Sequence, residues 1–338
     1  ATIFFLGIGD GACASVGSKC TGPSRISVTV GTSAAVRMCL RHQASASPPK
    51  ELQFRIPDCH GLFCYRIDRN HVLVGGALTD GGSIVEWAKR FLNIEKDESA
   101  FEECLNETEK LVEDQFKKES NIRNRDLVMA PFLSGERSTG FRDGAAGALF
   151  GLTRETTPAH LLKSCLEGVS LRLSAIIKLL LLFGDRKRKE DKNTKGTGNN
   201  STRLPVIVAS GKAMEVNHMW RQMIADSSGL CVVLDKETVE GTSRGVARLL
   251  ASSLLLHDDS SDLKLTPSRN ISSEKDTEET PRKVSLPFEQ DDEVLHRYLT
   301  SEPRSIATTL YSRKLCLQED FIDSIAPFFS STSECLGK

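Results

Sequence analysis

The first 40 residues contain the feature that most restricts the fold, an acidic residue among glycines followed by two β-rich segments. Asp10 lies in the sequence Gly-Ile-Gly-Asp-Gly-Ala, and small residues follow it as far as Ser18. Small residues let a backbone or a ligand come close, and glycine permits turns that other residues resist. The pattern predicts a short helix that begins at a carboxylate facing a cleft, although a lone Asp among glycines is also typical of a turn or a helix cap.

A strand, a turn and a second strand follow this predicted helix. Residues 26–30 alternate as a β-strand does, and residues 36–40 resume a strand. The turn between them contains Gly31, Thr32 and Ser33. A hairpin of this kind can hold a phosphate group with its backbone N–H groups.

A second glycine turn lies before the next predicted helix. Residues 62–67 and 71–75 are two short predicted strands, and the sequence Thr-Asp-Gly-Gly-Ser at 79–83 then opens a helix. The N-terminus of a helix offers unpaired N–H groups and the positive end of the helix dipole. The turn at Gly82 is therefore a candidate contact for a phosphate or a ribose, although a simple helix start explains the same residues.

Another strand–glycine–helix unit lies in the second half of the chain. Residues 204–209 are a predicted strand that leads into Gly211 and Lys212, and the helix that follows carries Asn217 and Trp220. A strand, a glycine turn and a helix in this order let a ligand lie against bare backbone.

The segments between these units are predicted to be mostly helical. Residues 98–118 have the pattern of a charged amphipathic helix with a solvated face, and residues 157–183 have that of a long helix. The last 45 or so residues read as one or two closing helices with apolar side chains facing inward. Those inward side chains are Tyr298, Leu310 and Tyr311.

A polar loop is predicted after a buried strand at 127–132. The sequence Leu-Ser-Gly-Glu-Arg-Ser follows that strand at 133–138. We expect Glu136 and Arg137 to form an ion pair that holds this loop.

Charge and cysteine content argue against several classes of protein. The chain has 44 Lys and Arg against 45 Asp and Glu, so it offers no general surface for nucleic acid or an anionic membrane. No apolar run reaches the roughly 18 residues that span a bilayer. Cys59 and Cys64 flank His60, but two further zinc ligands at matching spacing are missing from the sequence. We expect reduced thiols, a cytoplasmic protein, and neither nucleic acid nor a membrane as a partner.

Taken in order, these motifs resemble those of the FGGY carbohydrate kinases. The glycine-flanked Asp10, the Gly-Thr-Ser hairpin, the run Pro-Phe-Leu-Ser-Gly-Glu-Arg-Ser and the run Val-Ala-Ser-Gly-Lys-Ala occur in the family's order. The resemblance covers residues 6–255 apart from polar inserts, and gluconokinase-like members look most similar, followed by xylulokinases and ribulokinases. It implies an α/β fold, the nucleotide-binding domain of the actin-like ATPase (ribonuclease H-like) class, with a mixed sheet and helices on both faces.

The resemblance also implies a role for each motif. Asp10 would be the catalytic base that takes a proton from the substrate, and Gly11 would lie beside the substrate with it. ATP would be the phosphoryl donor, with Mg²⁺ held largely by phosphates and water, so no metal ligand is predicted from the protein. The residues that would contact the nucleotide are Gly31, Thr32, Ser33, Gly82, Glu86, Gly211, Lys212 and Asn217.

One residue departs from the family pattern. Lys212 stands where the family has a second glycine, at a point where adenine lies against bare backbone and Asn217 reaches the ring. Its side chain could crowd the adenine, or its charge could meet a phosphate group. Both alternatives remain open from the sequence, and the first is favoured because the helix N-terminus already attracts anions.

The domain prediction is a single C-terminal kinase domain over residues 1–338. Two polar stretches, 184–203 and 257–287, are predicted to be disordered inserts. Because nine residues precede Asp10, we expect the family's N-terminal sugar-binding domain to be absent from this chain. The predicted function is ATP-dependent phosphorylation of a sugar or sugar acid, and the resemblance allows a homodimer. The alternative is a non-catalytic binding or scaffold protein derived from a sugar kinase.

Overall fold

A seven-stranded mixed sheet forms the centre of the fold, as seen in a computed structural model that describes residues 7–41, 61–68, 71–117, 127–194, 204–236, 240–258 and 300–335. The strands are β1 (Arg25–Val30), β2 (Ala34–Arg41), β3 (Phe63–Arg66), β4 (His71–Leu78), β5 (Val128–Ala130), β6 (Ala148–Phe150), β7 (Val206–Ser210), β8 (Val232–Leu234) and β9 (Thr300–Ser301). The helices are α1 (Asp10–Gly17), α2 (Ser83–Phe91), α3 (Glu98–Lys117), α4 (Pro158–Thr194), α5 (Lys212–Val216), α6 (His218–Ser228), α7 (Gly241–Asp258) and α8 (Ser305–Cys335).

The sheet has the order β3-β4-β2-β1-β7-β8-β9. The pairs β1–β7 and β7–β8 are parallel, and the other neighbours are antiparallel. The predicted hairpin is confirmed, because β1 and β2 pair with Val30 opposite Ala34 across the Gly-Thr-Ser turn. A separate two-stranded sheet joins β5 and β6.

Helices cover both faces of the sheet, as the resemblance implied. Met38 of β2 lies in the large apolar cluster that contains α4, and the next residue, Cys39, packs with Ala12 of α1. Successive side chains of a strand point to opposite faces. The helices α1 and α4 therefore lie on opposite sides, and every residue of β4 is buried between them.

The long helix α4 extends beyond its predicted end at residue 183. It continues to Thr194, so the first residues of the predicted disordered insert 184–203 are helical. In the same way α7 covers 257 and 258 at the start of the second insert. Residues 195–203 and 259–287, together with Cys59, His60 and Tyr298, lie outside the described residues.

The helix α3 is not solvated on all sides. Cys104, Thr108 and Val112 recur at a spacing of four residues and are buried. The Thr108 hydroxyl donates to the Ala159 carbonyl of α4 at 3.2 Å, which fixes this face against the long helix. At the end of the chain Tyr311 is fully buried and Leu310 is half-buried, as the pattern predicted.

The helices α1 and α7 cross at unusually short range because glycines meet there. A Cβ atom built on Gly245 would lie 2.8 Å from Cα of Cys13, and nearer still to that residue's carbonyl group. The obstacle is backbone, which cannot move aside as a flexible side chain can. The Arg248 guanidinium also donates to the carbonyl groups of Val16 and Gly17 at the end of α1, at 3.0 and 2.9 Å. The crossing therefore fixes α1, and with it Asp10, on the sheet.

Gly245→Ala is expected to lower the free energy of unfolding by about 1–3 kcal/mol, because overpacking forces the two helices apart. The matched control is Gly241→Ala in the same helix, where the nearest atom to an added Cβ is 3.7 Å away. Urea unfolding followed by circular dichroism measures both variants. Equal stability of the two variants would show that the glycine contact does not hold α1.

Candidate active site

Asp10 is the first residue of α1 and its side chain is exposed. Its Oδ1 atom accepts a hydrogen bond from the Gly11 N–H at 2.6 Å, which turns the carboxylate toward the helix N-terminus. Within the described part of the chain, Oδ2 has no hydrogen-bond partner. The predicted helix that begins at an acidic residue is confirmed, and one carboxylate oxygen is open to accept a proton.

Arg37 and Tyr65 lie over the start of α1, which the sequence did not reveal. A Cβ atom built on Gly11 would lie 2.8 Å from Nε of Arg37 and 3.1 Å from Oη of Tyr65. Burial lowers the pKa of the Arg37 guanidinium, while Tyr65 and Asp10 act in the opposite direction. Burial raises the pKa of the Tyr65 hydroxyl, and Arg37 opposes that shift. Gly11 therefore matters because its missing side chain lets these two groups lie against the start of α1, beside Asp10.

The Gly-Thr-Ser turn is exposed at the end of the β1–β2 hairpin. Gly31, Thr32 and Ser33 are all exposed, and the Gly31 N–H donates to the Ser33 carbonyl at 3.0 Å. Arg37 follows Ala34 by three residues on β2, and at about 3.3 Å per residue the turn lies about 10 Å from Arg37 along the strand. One short strand thus links the turn to the surroundings of Asp10.

The start of α2 is fastened to this turn by its backbone. The Gly82 N–H donates to the Gly31 carbonyl at 2.6 Å, and the Gly81 N–H donates to the Thr32 carbonyl at 2.8 Å. The N–H group of Gly82 is therefore engaged within the protein and is not free for a phosphate group, contrary to the sequence argument. Glu86 is exposed one turn further along α2, with its carboxylate 3.9 Å from Nζ of Lys89.

A buried carboxylate next to this turn was missed in the sequence. Asp80 accepts hydrogen bonds from the Ser83 hydroxyl at 3.1 Å and from the Ser134 N–H at 2.8 Å. The spacing of Asp80 and Ser83 is typical of a helix start, but the partner at Ser134 is 54 residues away in the chain. Asp80 thus joins α2 to the loop at 133–138.

The predicted ion pair between Glu136 and Arg137 is wrong. Glu136 is buried and pairs with Arg172 of α4 at 3.1 Å and with Arg142 at 3.4 Å, whereas Arg137 is exposed. Burial lowers the pKa of the Arg172 guanidinium and Glu136 opposes that shift. A buried charge needs a partner, and adjacent residues of an extended loop point to opposite sides, so the partner comes from a distant helix.

The third glycine turn packs against the end of β1. Gly211 has a φ of +98°, a conformation that favours glycine, and the Thr29 and Ser210 hydroxyls lie 3.1 Å apart beside it. Lys212, the next residue, has a side chain that is 81% exposed and lies 3.6 Å from the Glu215 carboxylate. The lysine therefore extends along the surface of α5.

Asn217 has a structural role that the sequence argument did not assign. It is the N-cap of α6, and its Oδ1 accepts from the Trp220 N–H at 2.8 Å. The Asn-to-Trp spacing is a helix-capping signal that could have been read from the sequence. The cap uses the carbonyl oxygen of the side chain and fixes the direction of its amide NH2 group.

The structure thus brings the three glycine turns together, with Gly31 bonded to Gly82 and Gly211 packed on Val30. They meet where the parallel strands β1 and β7 end, which is the edge where α/β sheets bind ligands. In the described ranges no group of three or more His, Cys, Asp or Glu side chains is placed to hold a metal ion. No helix in those ranges is long and apolar enough to cross a membrane.

Comparison with known proteins gives the family. The sequence profile of the FGGY family of carbohydrate kinases, C-terminal domain, matches residues 26–254. The chain belongs to this family. A gluconokinase from Bacillus licheniformis is 27% identical over 231 residues, which are 67% of this chain and 38% of that protein. The gluconokinase of Bacillus subtilis (strain 168) is 28% identical over a stretch of the same length and coverage.

Solved structures of FGGY kinases show the same fold. Gluconate kinase from Lactobacillus acidophilus superposes with a TM-score of 0.65 at 21% identity, over 96% of this chain and 52% of that chain. Xylulose kinase from the same organism gives a TM-score of 0.62 at 19% identity with the same coverage. The actin-like ATPase fold inferred from the sequence is confirmed. The chain spans 38% of the length of the two Bacillus gluconokinases and about half of these solved kinases.

Proposed function

We propose that this chain is the nucleotide-binding, C-terminal half of an ATP-dependent carbohydrate kinase that phosphorylates a hydroxyl of a sugar or sugar acid. The observation that carries the proposal is the exposed Asp10 carboxylate at the start of α1, with one oxygen open, in a chain of this family. A group that removes a proton from a hydroxyl must be accessible to it, and the Asp10 carboxylate is exposed.

Asp10 acts as general base. It takes the proton of the substrate hydroxyl as that oxygen attacks the γ-phosphorus of ATP, the bond from the γ-phosphorus to the bridging oxygen breaks, and ADP leaves. Gly11 lies beside the substrate because it has no side chain to fill that space. The three glycine turns hold the nucleotide, and the Gly31–Gly82 hydrogen bond and the packing of Gly211 on Val30, which bring these turns together, support this placement.

The proposed contacts with ATP come from the three glycine turns and the residues next to them. The exposed turn of Gly31, Thr32 and Ser33 offers backbone and hydroxyl groups to the phosphates. Gly211 and Asn217 face adenine, and the turn at Gly82, with Glu86 beyond it, lies on the flank of the nucleotide. Mg²⁺, when bound with ATP, neutralises phosphate charge, and phosphates and water supply most of its ligands.

The substrate class proposed is a sugar acid or a pentulose, because gluconokinases and xylulose kinases are among the relatives, beside glycerol kinases. We also propose that the protein forms a homodimer and is located in the cytoplasm. The alternative of a non-catalytic scaffold has no specific observation in its favour among the described residues.

The test is phosphorylation by the protein as its own cells make it, with any residues that precede Ala1 retained. ADP release is measured with ATP, Mg²⁺ and separate acceptors, including D-gluconate, D-xylulose and glycerol. Phosphoryl transfer to at least one acceptor, well above ATP hydrolysis without acceptor, is expected. ATP binding without transfer to any sugar or sugar acid would favour the scaffold alternative.

Lys212→Gly is expected to tighten ATP binding, because glycine would clear the place where adenine lies close to the backbone. Titration calorimetry with ATP and with adenosine measures the effect, and Glu215→Gln, which removes the partner of the ammonium group, is the control. If the ammonium group instead meets a phosphate, the glycine variant binds ATP more weakly and adenosine unchanged.

A further inference from the structure

The guanidinium of Arg37 is half-buried next to the proposed base, and no hydrogen bond or ion pair in the described ranges satisfies it. Arginine remains charged in proteins, and a partly desolvated charge without a partner is costly. Among the described residues, the groups that favour its charge are Tyr65 and Asp10, and they act through Coulomb attraction.

The surroundings of Arg37 leave room for its side chain on the face that carries α1. In the sheet register Arg37 lies between Ser27 of β1, which is small, and Gly75 of β4, where the Phe63 ring fills the space that a side chain would take. Gly11 gives the same kind of space from above, since an added Cβ would lie 3.2 Å from Cζ of Arg37. Small residues on two sides, Ser27 and Gly11, therefore leave room for this planar, five-donor group beside Asp10.

In the part of the chain that the structure describes, the charges near Asp10 do not balance. Arg37 and Arg137 repel each other, and Asp10 is the carboxylate that attracts Arg37. Two cations and one anion leave a net positive site at the point where the substrate hydroxyl must lie. An anionic substrate would neutralise this site, whereas a neutral sugar would not.

We propose that Arg37 is the specificity-determining residue of the kinase and binds the carboxylate of a sugar acid, so that a hydroxyl of the same molecule lies at Asp10. The inference rests on the proposed function and narrows its substrate class. Arginine binds carboxylates through two parallel N–H···O bonds, which fixes orientation as well as position. The Tyr65 hydroxyl, within reach of the same place, donates a further hydrogen bond.

A neutral sugar at this place would leave the Arg37 charge half-buried and unpaired. Sites built to bind a polar group reject analogues that lack it, because the buried protein group then has no partner. The selectivity therefore comes from Arg37, not from Asp10, which serves any hydroxyl.

The experiment compares D-gluconate with D-glucitol, which has a CH2OH group in place of the carboxylate. Calorimetric titration is carried out on the protein with any residues before Ala1 retained, in the presence of ADP. Wild type is expected to bind gluconate more tightly than glucitol by about 10-fold or more, and Arg37→Gln to weaken gluconate binding by about 10- to 100-fold. Glucitol and ADP affinities are expected to change little in that variant.

Two further variants make the result decisive. Arg37→Lys keeps the charge but loses the planar fork, so it should fall between wild type and Arg37→Gln for gluconate. Arg154→Gln removes an exposed charge elsewhere and should leave both affinities unchanged. Thermal melting checks that each variant is folded, and the wild-type ratio alone still tests the inference if Arg37→Gln is not.

Three results would overturn the inference. If wild type binds glucitol as tightly as gluconate, the site has no selectivity for a carboxylate. If Arg37→Gln loses the same affinity for both ligands, Arg37 has a general packing role. A loss of ADP or ATP binding instead would assign Arg37 to phosphate. Each result is independent of turnover, so a kinase that phosphorylates neutral sugars would keep the proposed function while the carboxylate site fails.

Discussion

Asp10→Asn is expected to lower turnover by about 10²- to 10⁴-fold, with little change in nucleotide affinity. The amide has the shape of the carboxylate, and its oxygen can still accept the Gly11 N–H that Oδ1 accepts now at 2.6 Å. It cannot take a proton from the substrate hydroxyl. The variant should therefore fold and bind ATP while the chemical step slows.

The measurement combines steady-state ADP release with calorimetric titration of ATP. Asp320→Asn, at an exposed position on α8, is the matched control and should match wild type in both. Unchanged turnover in Asp10→Asn would reject Asp10 as the base. A parallel loss of ATP affinity would instead place Asp10 in nucleotide binding.

Local patterns in the sequence were enough to predict the elements that carry this site. The β1–β2 hairpin follows from alternation on either side of a glycine turn, and α1 follows from small residues after Asp10. Each depends on residues a few positions apart, for which backbone preferences decide the structure. The family resemblance then supplied the order of the motifs along the chain.

Contacts between distant segments could not be predicted in the same way. Glu136 finds its partner in Arg172, 36 residues along the chain, because burial of the carboxylate selects whichever cation the fold brings near. Arg37 lies beside Gly11, next to Asp10, because α1 meets β2 at a glycine. Neither pair leaves a pattern in sequence spacing, since both depend on how α4 and α1 pack on the sheet.

A buried ion-pair network between α4 and α8 supports the domain that holds these contacts. The Glu167 carboxylate accepts from Nζ of Lys163 at 3.0 Å and from Nζ of Lys314 at 3.0 and 3.1 Å. The Tyr311 hydroxyl donates to the same carboxylate at 3.3 Å. All four side chains are buried, so one anion satisfies two ammonium groups away from water.

Glu167→Gln is expected to lower the free energy of unfolding at pH 7 by about 3–5 kcal/mol, because it removes the buried carboxylate that two buried ammonium groups share. Urea unfolding measures the change. Glu103→Gln removes a carboxylate from an exposed site on α3 and should have little effect. A loss as small as that of the control would show that the two lysines find other partners or water.

The same network predicts how the difference in unfolding free energy between wild type and Glu167→Gln depends on pH. Burial alone would raise the pKa of Glu167, but Lys163 and Lys314 outweigh it and hold the pKa at about 2. An unfolded glutamate has a pKa of about 4.3, so below that pH the unfolded chain binds a proton that the folded protein does not. The stabilisation is complete above about pH 4.3 and is lost as the pH falls toward 2. The stability gap between wild type and Glu167→Gln should therefore narrow over that range, and a gap that stays constant there would contradict an ionised Glu167 in the folded protein.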